Sequence, residues 1–198
     1  MILAYGIIGQ MMEPVEFTNP EIDVTTLTKP EWAIGVNTTG RPKRIAKSYD
    51  LRDGMLEIMV NERVKRYKQI EANEVVYEEK MMEDAEIVIV AYGTAARISI
   101  AAMKLAREKG IKVGLLRPIT LWPFPKARIQ ELSKRIKKFL VVELSLGQMV
   151  EDVQLSLNGR AEVNLLGKPG AGVMTAEEVC TTLNNIVKKG AKEYAAFK

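Results

Sequence analysis

The stretch IVIVAYGTAARI, residues 87–98, decides the fold of this chain. Four β-branched residues lead into Ala-Tyr-Gly-Thr, and apolar residues at helical spacing follow at once. A buried strand, a tight loop and a helix start, in this order, form the unit from which parallel α/β sheets are built. Such a loop can also present backbone N–H groups to a phosphate. The stretch therefore predicts an α/β sheet and raises the question of whether its loop binds a nucleotide.

The same alternation repeats through the rest of the chain. Short apolar runs predict strands, and longer amphipathic runs predict the helices between them. The predicted strands cover 85–92, 111–118, 138–145 and 161–167, and the predicted helices cover 95–109, 126–138, 147–157 and 175–189. Thr94 and Ser145 are the expected N-caps of the first and third of these helices, and Gly110 is expected just beyond the end of the first. This order predicts a parallel or mostly parallel sheet with helices on both faces.

The first 80 residues differ from this pattern. Residues 50–71 predict one long helix with Leu56, Val60, Val64 and Tyr67 on a single face, and the acid-rich connector EANEVVYEEKMMEDAE follows. Upstream of this helix, short apolar pieces are broken by prolines and are too few to close a core of their own.

We therefore expect three regions. Residues 1–47 are interpreted as the end of a larger α/β domain whose beginning is absent, residues 48–80 as a linker helix with an acidic connector, and residues 81–198 as a closing α/β domain. A domain of this last size can bury one continuous core.

The composition limits the chemistry that the chain can perform. It contains no histidine and one cysteine, which excludes His-based general bases, catalytic triads that use histidine and clusters of thiolate ligands. Cys180 shares helical spacing with Leu183 and Val187 and is interpreted as a core residue. A single cysteine, the absence of a signal-peptide pattern and the lack of an apolar run of about 18 residues predict a cytoplasmic protein without a membrane partner.

The net charge of +4 is uneven along the chain. In KARIQELSKRIKK, residues 126–138, six basic residues accompany one acid, Glu131. No aromatic or base-reading residues are interleaved with them, so nucleic acid is not an expected partner. Ile129, Leu132 and Ile136 mark a buried stripe, which makes the charges the solvated face of a helix; an acidic partner or an anionic cofactor is the alternative.

The loop at Gly93 lacks the features of a nucleotide site. A dinucleotide fingerprint needs three glycines at G-x-G-x-x-G, and a Walker loop needs Gly-Lys-Ser/Thr. Here Gly93 is followed by Thr-Ala-Ala. The loop is therefore interpreted as a turn.

Several strings resemble one enzyme family. VIVAYGT (88–94), VGLLRPITLWPFP (113–125), LGQMVEDV (146–153) and LLGKPGAGVMTAEE (165–178) resemble the alpha subunit of 2-oxoacid:ferredoxin oxidoreductases, as do IIGQMMEPVEF (7–17) and WAIGVNTTG (32–40). Within this family, the quoted strings resemble most the branched-chain type, which acts on 2-oxoisovalerate. The resemblance spans essentially all 198 residues in register.

The resemblance implies a domain arrangement and an activity. Residues 81–198 would be similar to the transketolase C-terminal domain, and residues 1–47 would end the domain that holds the pyrimidine side of thiamine pyrophosphate. The family enzyme decarboxylates a 2-oxoacid on that cofactor, passes electrons through iron–sulfur clusters to ferredoxin and transfers the acyl group to coenzyme A.

The resemblance also implies that this chain is a structural portion of the enzyme. In the family, diphosphate and magnesium binding belong to the beta subunit and clusters belong to others, while the carboxylate that contacts the aminopyrimidine lies upstream of Met1. We therefore expect no catalytic, cofactor-binding or metal-binding residue here, and beta, gamma and ferredoxin-like subunits as partners. Thiamine pyrophosphate, magnesium and iron–sulfur clusters are expected only in the full complex. Tyr5, where the family has Asp, and Ser145, near a usual Asn, depart from the family pattern.

A few polar residues are still open to a functional interpretation. Gln10 and Gln148 each follow glycine in a Gly-Gln-Met string, and each is either a polar contact near the cofactor or, as we favour, a backbone-capping amide. Arg117 ends a strand and could meet an anion such as coenzyme A, although an interface ion pair is the favoured interpretation. Glu13 and Glu16 flank Pro14. They are the two carboxylates whose participation in a cofactor site would contradict the expectation of a non-catalytic chain.

Two other functions remain as alternatives. One is a stand-alone nucleotide- or coenzyme-A-binding α/β module, and the other is the E1 beta-type subunit of a lipoamide-linked 2-oxoacid dehydrogenase. In isolation we expect a homo-oligomer, because residues 1–47 would leave apolar surface uncovered.

Overall fold

The computed structural model describes residues 41–45, 47–170 and 172–189, together with isolated positions at 6, 10, 12, 14, 16, 23, 26, 27, 33, 34 and 40. Contacts divide the chain into two compact units, one formed by residues 11–68 and the other by residues 1–10 and 69–198. Most of the segment 1–47, and with it the expected end of a larger domain, lies outside the described residues.

Helices and strands alternate in the order that the sequence predicts, with one additional strand. The elements are α1 (Met55–Asn73), β1 (Tyr77–Lys80), β2 (Ile87–Ala91), α2 (Gly93–Glu108), β3 (Val113–Pro118), α3 (Lys126–Arg135), β4 (Lys138–Glu143), α4 (Met149–Leu157), β5 (Glu162–Gly167) and α5 (Ala176–Lys189). The basic helix α3 is shorter than predicted because Ile136 adopts an extended conformation, and residues 137–138 lead into β4.

The five strands form one sheet in the order β1-β3-β2-β4-β5. The last four strands of the chain are mutually parallel, with Ile87 opposite both Val113 and Lys138, and β1 pairs antiparallel with β3. The predicted α/β class with a mostly parallel sheet is confirmed.

Two helices cover each face of the sheet. Because consecutive strand residues point to opposite sides, each strand contributes to both cores. Ile87, Ile89 and Ala91 pack with α2 and α5 on one face, whereas Val88 and Val90 pack with α3 and α4 on the other. Both core clusters are mainly aliphatic with two methionines each, and the second also contains Phe124 and Phe139. Cys180 is buried in the first cluster, which agrees with its interpretation as a core residue.

The predicted residue at the carboxyl end of α2 agrees with the structure, whereas the predicted N-cap does not. Gly110 has a φ of +80°, its N–H donates to the Arg107 carbonyl oxygen, and the Ile111 N–H donates to that of Ala106, which is the Schellman arrangement expected at a C′ glycine. The predicted N-cap, Thr94, is wrong. The cap position is Tyr92, whose backbone is extended and whose side chain makes no cap hydrogen bond.

Strand β1 is the element that the sequence pattern does not predict, and it lies within the acidic connector. Its residues, Tyr-Glu-Glu-Lys, are mostly exposed, and their carboxylates pair with arginines of neighbouring elements. Arg117 of β3 donates to Glu78 at 2.9 Å, and Arg128 of α3 binds Glu79 through two hydrogen bonds of 2.6 and 2.8 Å. Part of the connector is therefore an edge strand.

The helix α1 has no buried residue. Leu56, Val60, Val64 and Tyr67, which the sequence places on one face, are 41–47% exposed. Before this helix, the buried carboxylate of Asp50 accepts hydrogen bonds from Lys47 and from both the guanidinium and the backbone N–H of Arg52. No helix among the described residues is long and apolar enough to cross a membrane.

Candidate functional site

The strand order creates a topological switch point between β2 and β4. These neighbouring parallel strands are followed by helices on opposite faces, α2 after β2 and α4 after β4. In open α/β sheets, ligands bind where successive connections diverge in this way, beyond the carboxyl ends of the strands. The loop Tyr92–Thr94 and the segment from Glu143 to Gln148 meet this description. We call these two segments the switch-point site.

The most unusual group at the switch-point site is the carboxylate of Glu143, which is 1% exposed. Oε2 accepts hydrogen bonds from the Ser145 hydroxyl at 2.7 Å and from the N–H groups of Gln148 and Met149 at 3.0 Å, while Oε1 accepts from the Val150 N–H at 2.9 Å. A buried carboxylate requires such donors because its desolvation is costly. Glu143 thus occupies the amino terminus of α4, where backbone N–H groups would otherwise attract an external anion.

Ser145 is therefore not the cap of α4 that the sequence predicts. Its hydroxyl donates to Glu143 instead of accepting from the helix. An ionised carboxylate accepts stronger hydrogen bonds from backbone N–H groups than a hydroxyl does. The side chain of Glu143, which lies five residues before Gln148, therefore caps α4 in place of Ser145. Glu151 and Asp152 lie in the first turn of α4, where the positive end of the helix dipole favours acidic residues.

Tyr92 faces the same carboxylate from the end of β2. Burial, and then the negative charge of Glu143, raise the pKa of the Tyr92 phenol above its usual value. Both effects disfavour a phenolate. The phenol at the switch-point site is thus held in its neutral form and does not act as a base near neutral pH.

The loop that opens α2 has a simple geometry. Gly93 adopts a φ of +55°, which favours glycine, and a side chain at this position would meet open space. The Thr94 hydroxyl is buried and has no hydrogen-bond partner. The interpretation of this loop as a turn stays a prediction.

The polar residues singled out in the sequence do not come together at the switch-point site. Gln148 takes the N-cap position of α4, but its exposed side chain makes no capping hydrogen bond, so the capping-amide interpretation is wrong for this residue. Arg117 forms an ion pair, as favoured, but with Glu78 of the same chain, and it lies on β3, which β2 separates from β4. Gln10 and Glu16 are exposed, and Glu13 lies outside the described residues.

The described residues do not fit a metal ion or an iron–sulfur cluster. Nowhere in the described part of the chain do three His, Cys, Asp or Glu side chains converge as a metal site. The one cysteine lies in the core, and the Glu143 carboxylate is already fully engaged. The donor set therefore offers neither the thiolates that a cluster needs nor the carboxylate oxygens that magnesium prefers.

Glu143 itself was not identified from the sequence. The signal available is a single carboxylate that closes the apolar run KFLVVE, a few residues before a helix. Such a residue lies at the buried carboxyl end of a parallel strand, where a charge must find partners.

Comparison with known proteins finds similarity to one enzyme family. Residues 85–179 match the family described as pyruvate:ferredoxin oxidoreductase core domain II. The chain is 40% identical over 186 residues to the ketoisovalerate oxidoreductase subunit VorB of Methanothermobacter marburgensis, a match that covers 94% of this chain and 52% of the relative. It is 42% identical over 111 residues to the 2-oxoglutarate synthase subunit KorA of Methanothermobacter thermautotrophicus, covering 56% of this chain and 29% of that one.

A solved structure supports the fold. The 2-oxoglutarate:ferredoxin oxidoreductase from Magnetococcus marinus, with 2-oxoglutarate, coenzyme A and succinyl-CoA bound, superimposes with a TM-score of 0.59 at 21% identity, over 67% of this chain and 23% of that chain. At this level of identity the similarity concerns the fold alone. This chain spans about half the length of the VorB relative. Residues 85–179 thus match pyruvate:ferredoxin oxidoreductase core domain II, and the chain is similar over most of its length to a subunit of a 2-oxoacid:ferredoxin oxidoreductase.

Proposed function

We propose that this chain is part of a thiamine-pyrophosphate-dependent 2-oxoacid:ferredoxin oxidoreductase, which converts a 2-oxoacid oxidatively to its acyl-CoA. The observation that carries the proposal is the 40% identity to a ketoisovalerate oxidoreductase subunit across 94% of this chain. The 2-oxoglutarate synthase relative is similar over a smaller share, 56%. The difference in coverage favours 2-oxoisovalerate, a branched-chain 2-oxoacid, as the substrate.

Within that enzyme the chain serves structure and assembly, and other subunits hold the cofactors. The carboxylate at the switch-point site is committed to α4, and the described residues supply no cluster of metal ligands. Thiamine pyrophosphate, magnesium and iron–sulfur clusters, as well as ferredoxin and coenzyme A, thus belong to the complex as a whole. A division into an N-terminal region, a linker helix and a closing α/β domain, and a cytoplasmic location, are parts of the same proposal.

Reconstitution of the complex tests the activity. The chain is co-expressed with a polypeptide that supplies the preceding half of the alpha subunit and with beta, gamma and ferredoxin-like subunits. The 2-oxoacid-dependent reduction of ferredoxin is then measured with thiamine pyrophosphate and coenzyme A. We expect activity only when this chain is present, and a higher kcat/KM for 2-oxoisovalerate than for 2-oxoglutarate. Equal activity without the chain would contradict an essential structural role, and a preference for 2-oxoglutarate would contradict the substrate assignment.

Calorimetry on the purified chain tests the division of labour. Thiamine pyrophosphate with magnesium is titrated into the chain alone, and we expect no saturable binding. Micromolar binding that disappears in a Glu13→Gln variant, but persists in Glu16→Gln, would show that this chain holds part of the cofactor site and would overturn the structural role.

A further inference from the structure

A cavity lies at the amino ends of the parallel strands, whereas the switch-point site lies at their carboxyl ends. It has a volume of about 610 Å³ and is lined by the first residues of β2 and β4, the turn before β3 and the ends of α2, α3 and α5. Six basic and two acidic side chains line it, which leaves four positive charges, as many as the net charge of the whole chain. We call it the basic cavity.

Both acidic residues of the basic cavity are already neutralised. Asp84 forms a bidentate pair with Arg107, which is not a lining residue and whose Nη2 approaches Oδ1 at 2.6 Å. Glu86 lies 3.2 Å from the amine of Lys112, which does line the cavity. The remaining five cations have no carboxylate partner in the described part of the chain, and they are Lys109, Arg135, Lys137, Lys138 and Lys188.

The neutral groups that these cations contact do not cancel their charge. Lys137 donates to the Ser133 carbonyl oxygen and Lys138 to that of Ile186, while the Lys109 amine lies 3.6 Å from the Cys180 sulfur. Three helices end at the basic cavity, and each carries about half a negative charge at its carboxyl end. Together these ends offset only a minor part of five full positive charges, so capping of the helices does not account for the cluster.

The surroundings favour carboxylates over phosphates as the missing partner. None of the helices α2 to α5 begins at this end of the strands, so none of them directs free backbone N–H groups at an anion there. None of the described residues lining the basic cavity is aromatic, so a nucleobase has no stacking surface. Separate lysine amines around an open cavity suit several spaced carboxylates, each neutralised by one flexible point charge.

We infer that the basic cavity is a docking surface for an acidic segment of a partner protein. The residues that follow the last helix, 190–198, include two lysines and one glutamate and thus do not supply that acidic segment. The docking surface is a property of this domain alone and does not depend on the function proposed above. Lys109, Lys137 and Lys188 are exposed and lie at or just beyond the carboxyl ends of α2, α3 and α5, so they can engage carboxylates spaced along an extended segment.

Binding of a synthetic hexaglutamate peptide tests the inference, with inorganic tripolyphosphate as the competing probe. The wild-type chain is compared with Lys109→Gln/Lys137→Gln/Lys188→Gln and with a control of equal charge loss, Lys80→Gln/Lys104→Gln/Lys126→Gln, whose lysines are outside the basic cavity. We expect at least a tenfold weaker peptide affinity in the cavity variant and less than a twofold change in the control.

Nuclear magnetic resonance of the wild-type chain gives a second readout that does not require any variant to fold. Hexaglutamate should shift the amide signals of Gly110, Ile111 and Asn184, and the shifts should diminish as salt is added. Equal effects of the two triple variants, or shifts spread over other surfaces, would overturn the inference. Tighter binding of tripolyphosphate through the same three lysines would also overturn it, because the ligand would then be a phosphate.

Discussion

At the scale of single residues, Glu143 explains how a parallel strand can end in a buried charge. The carboxylate has four hydrogen-bond donors, three of them backbone N–H groups of the first turn of α4. These donors and the positive end of the helix dipole replace the water that burial removes. The residue therefore connects the end of β4 to the start of α4 and fixes the geometry of the switch-point site.

Glu143→Gln should strongly destabilise the chain. The amide keeps one acceptor but turns an NH₂ group towards backbone N–H donors, and it loses the charge that strengthens these hydrogen bonds. We expect the free energy of unfolding to fall by about 2–3 kcal/mol in urea denaturation. Glu151→Gln, in the same turn but exposed, should change it by less than about 0.5 kcal/mol. Equal effects would show that Glu143 is not the anchor of α4.

At the scale of single elements, a capping box starts α5. The Thr175 hydroxyl accepts from the Glu178 N–H at 3.2 Å, and the Glu178 carboxylate accepts from the Thr175 N–H at 2.9 Å. Lys168 donates to the same carboxylate, and this hydrogen bond and that from Thr175 lower the pKa of Glu178 below its usual 4.5. A folded pKa below the unfolded one contributes stability above the unfolded pKa, and this contribution is lost as the pH falls through the folded pKa.

The start of α5 should therefore respond to pH through Glu178. Glu178→Gln should destabilise the chain near neutral pH, and the difference from wild type should shrink as the pH falls below 4.5, where the wild-type carboxylate also becomes neutral. Urea denaturation at a series of pH values measures this. Glu177→Gln, exposed in the same turn, should show no such convergence. A difference that stays constant down to pH values well below 4.5 would contradict the capping role.

The helix α1 presents a half-exposed apolar stripe. Leu56, Val60, Val64 and Tyr67 remain 41–47% exposed along a 19-residue helix. Stripes of this kind promote association. We expect the purified chain to be a homo-oligomer at micromolar concentration, and Val64→Glu to shift it to the monomer in light scattering. Gln69→Glu, with the same added charge on the opposite side of the helix, should leave the oligomer intact. A wild-type monomer would contradict the role of this stripe.

The elements differ in how well the sequence predicts them, for physical reasons. Strands β2, β3 and β4 are buried on both faces, so their apolar runs stand out, whereas β5 is half-buried at the edge of the sheet. Gly110 is predictable because the left-handed conformation that ends α2 favours glycine. Strand β1 carries mostly charged residues because it is an exposed edge strand, and its pairing depends on arginines 39 and 49 residues away. The cap of α4 is harder to predict because its hydrogen-bond donors are mostly backbone N–H groups, and its one sequence signal is the carboxylate that closes the apolar run of β4.

At the scale of the whole molecule, the position of β1 bears on where the closing domain begins. Its backbone pairs with β3 from Tyr77 opposite Pro118 to Lys80 opposite Leu115. The contact pattern also places residues 69–198 in one unit. A domain that starts at residue 81 would lack this strand, so we propose that the independently folding segment begins before Tyr77.

Two fragments test this boundary. Removing β1 leaves Arg117 and Arg128 without Glu78 and Glu79, and the second of these pairs is bidentate and mostly shielded from water. The loss of these hydrogen bonds should lower the free energy of unfolding of fragment 81–198 by about 1–3 kcal/mol relative to fragment 69–198. Removing β1 also uncovers the edge of β3, whose backbone groups can then pair with another chain. We thus expect fragment 69–198 to unfold cooperatively in urea and to give a dispersed amide spectrum, whereas fragment 81–198 should be less stable and associate in light scattering. Equal stability of two monomeric fragments would return the boundary to residue 81 and reduce β1 to an extension of the connector.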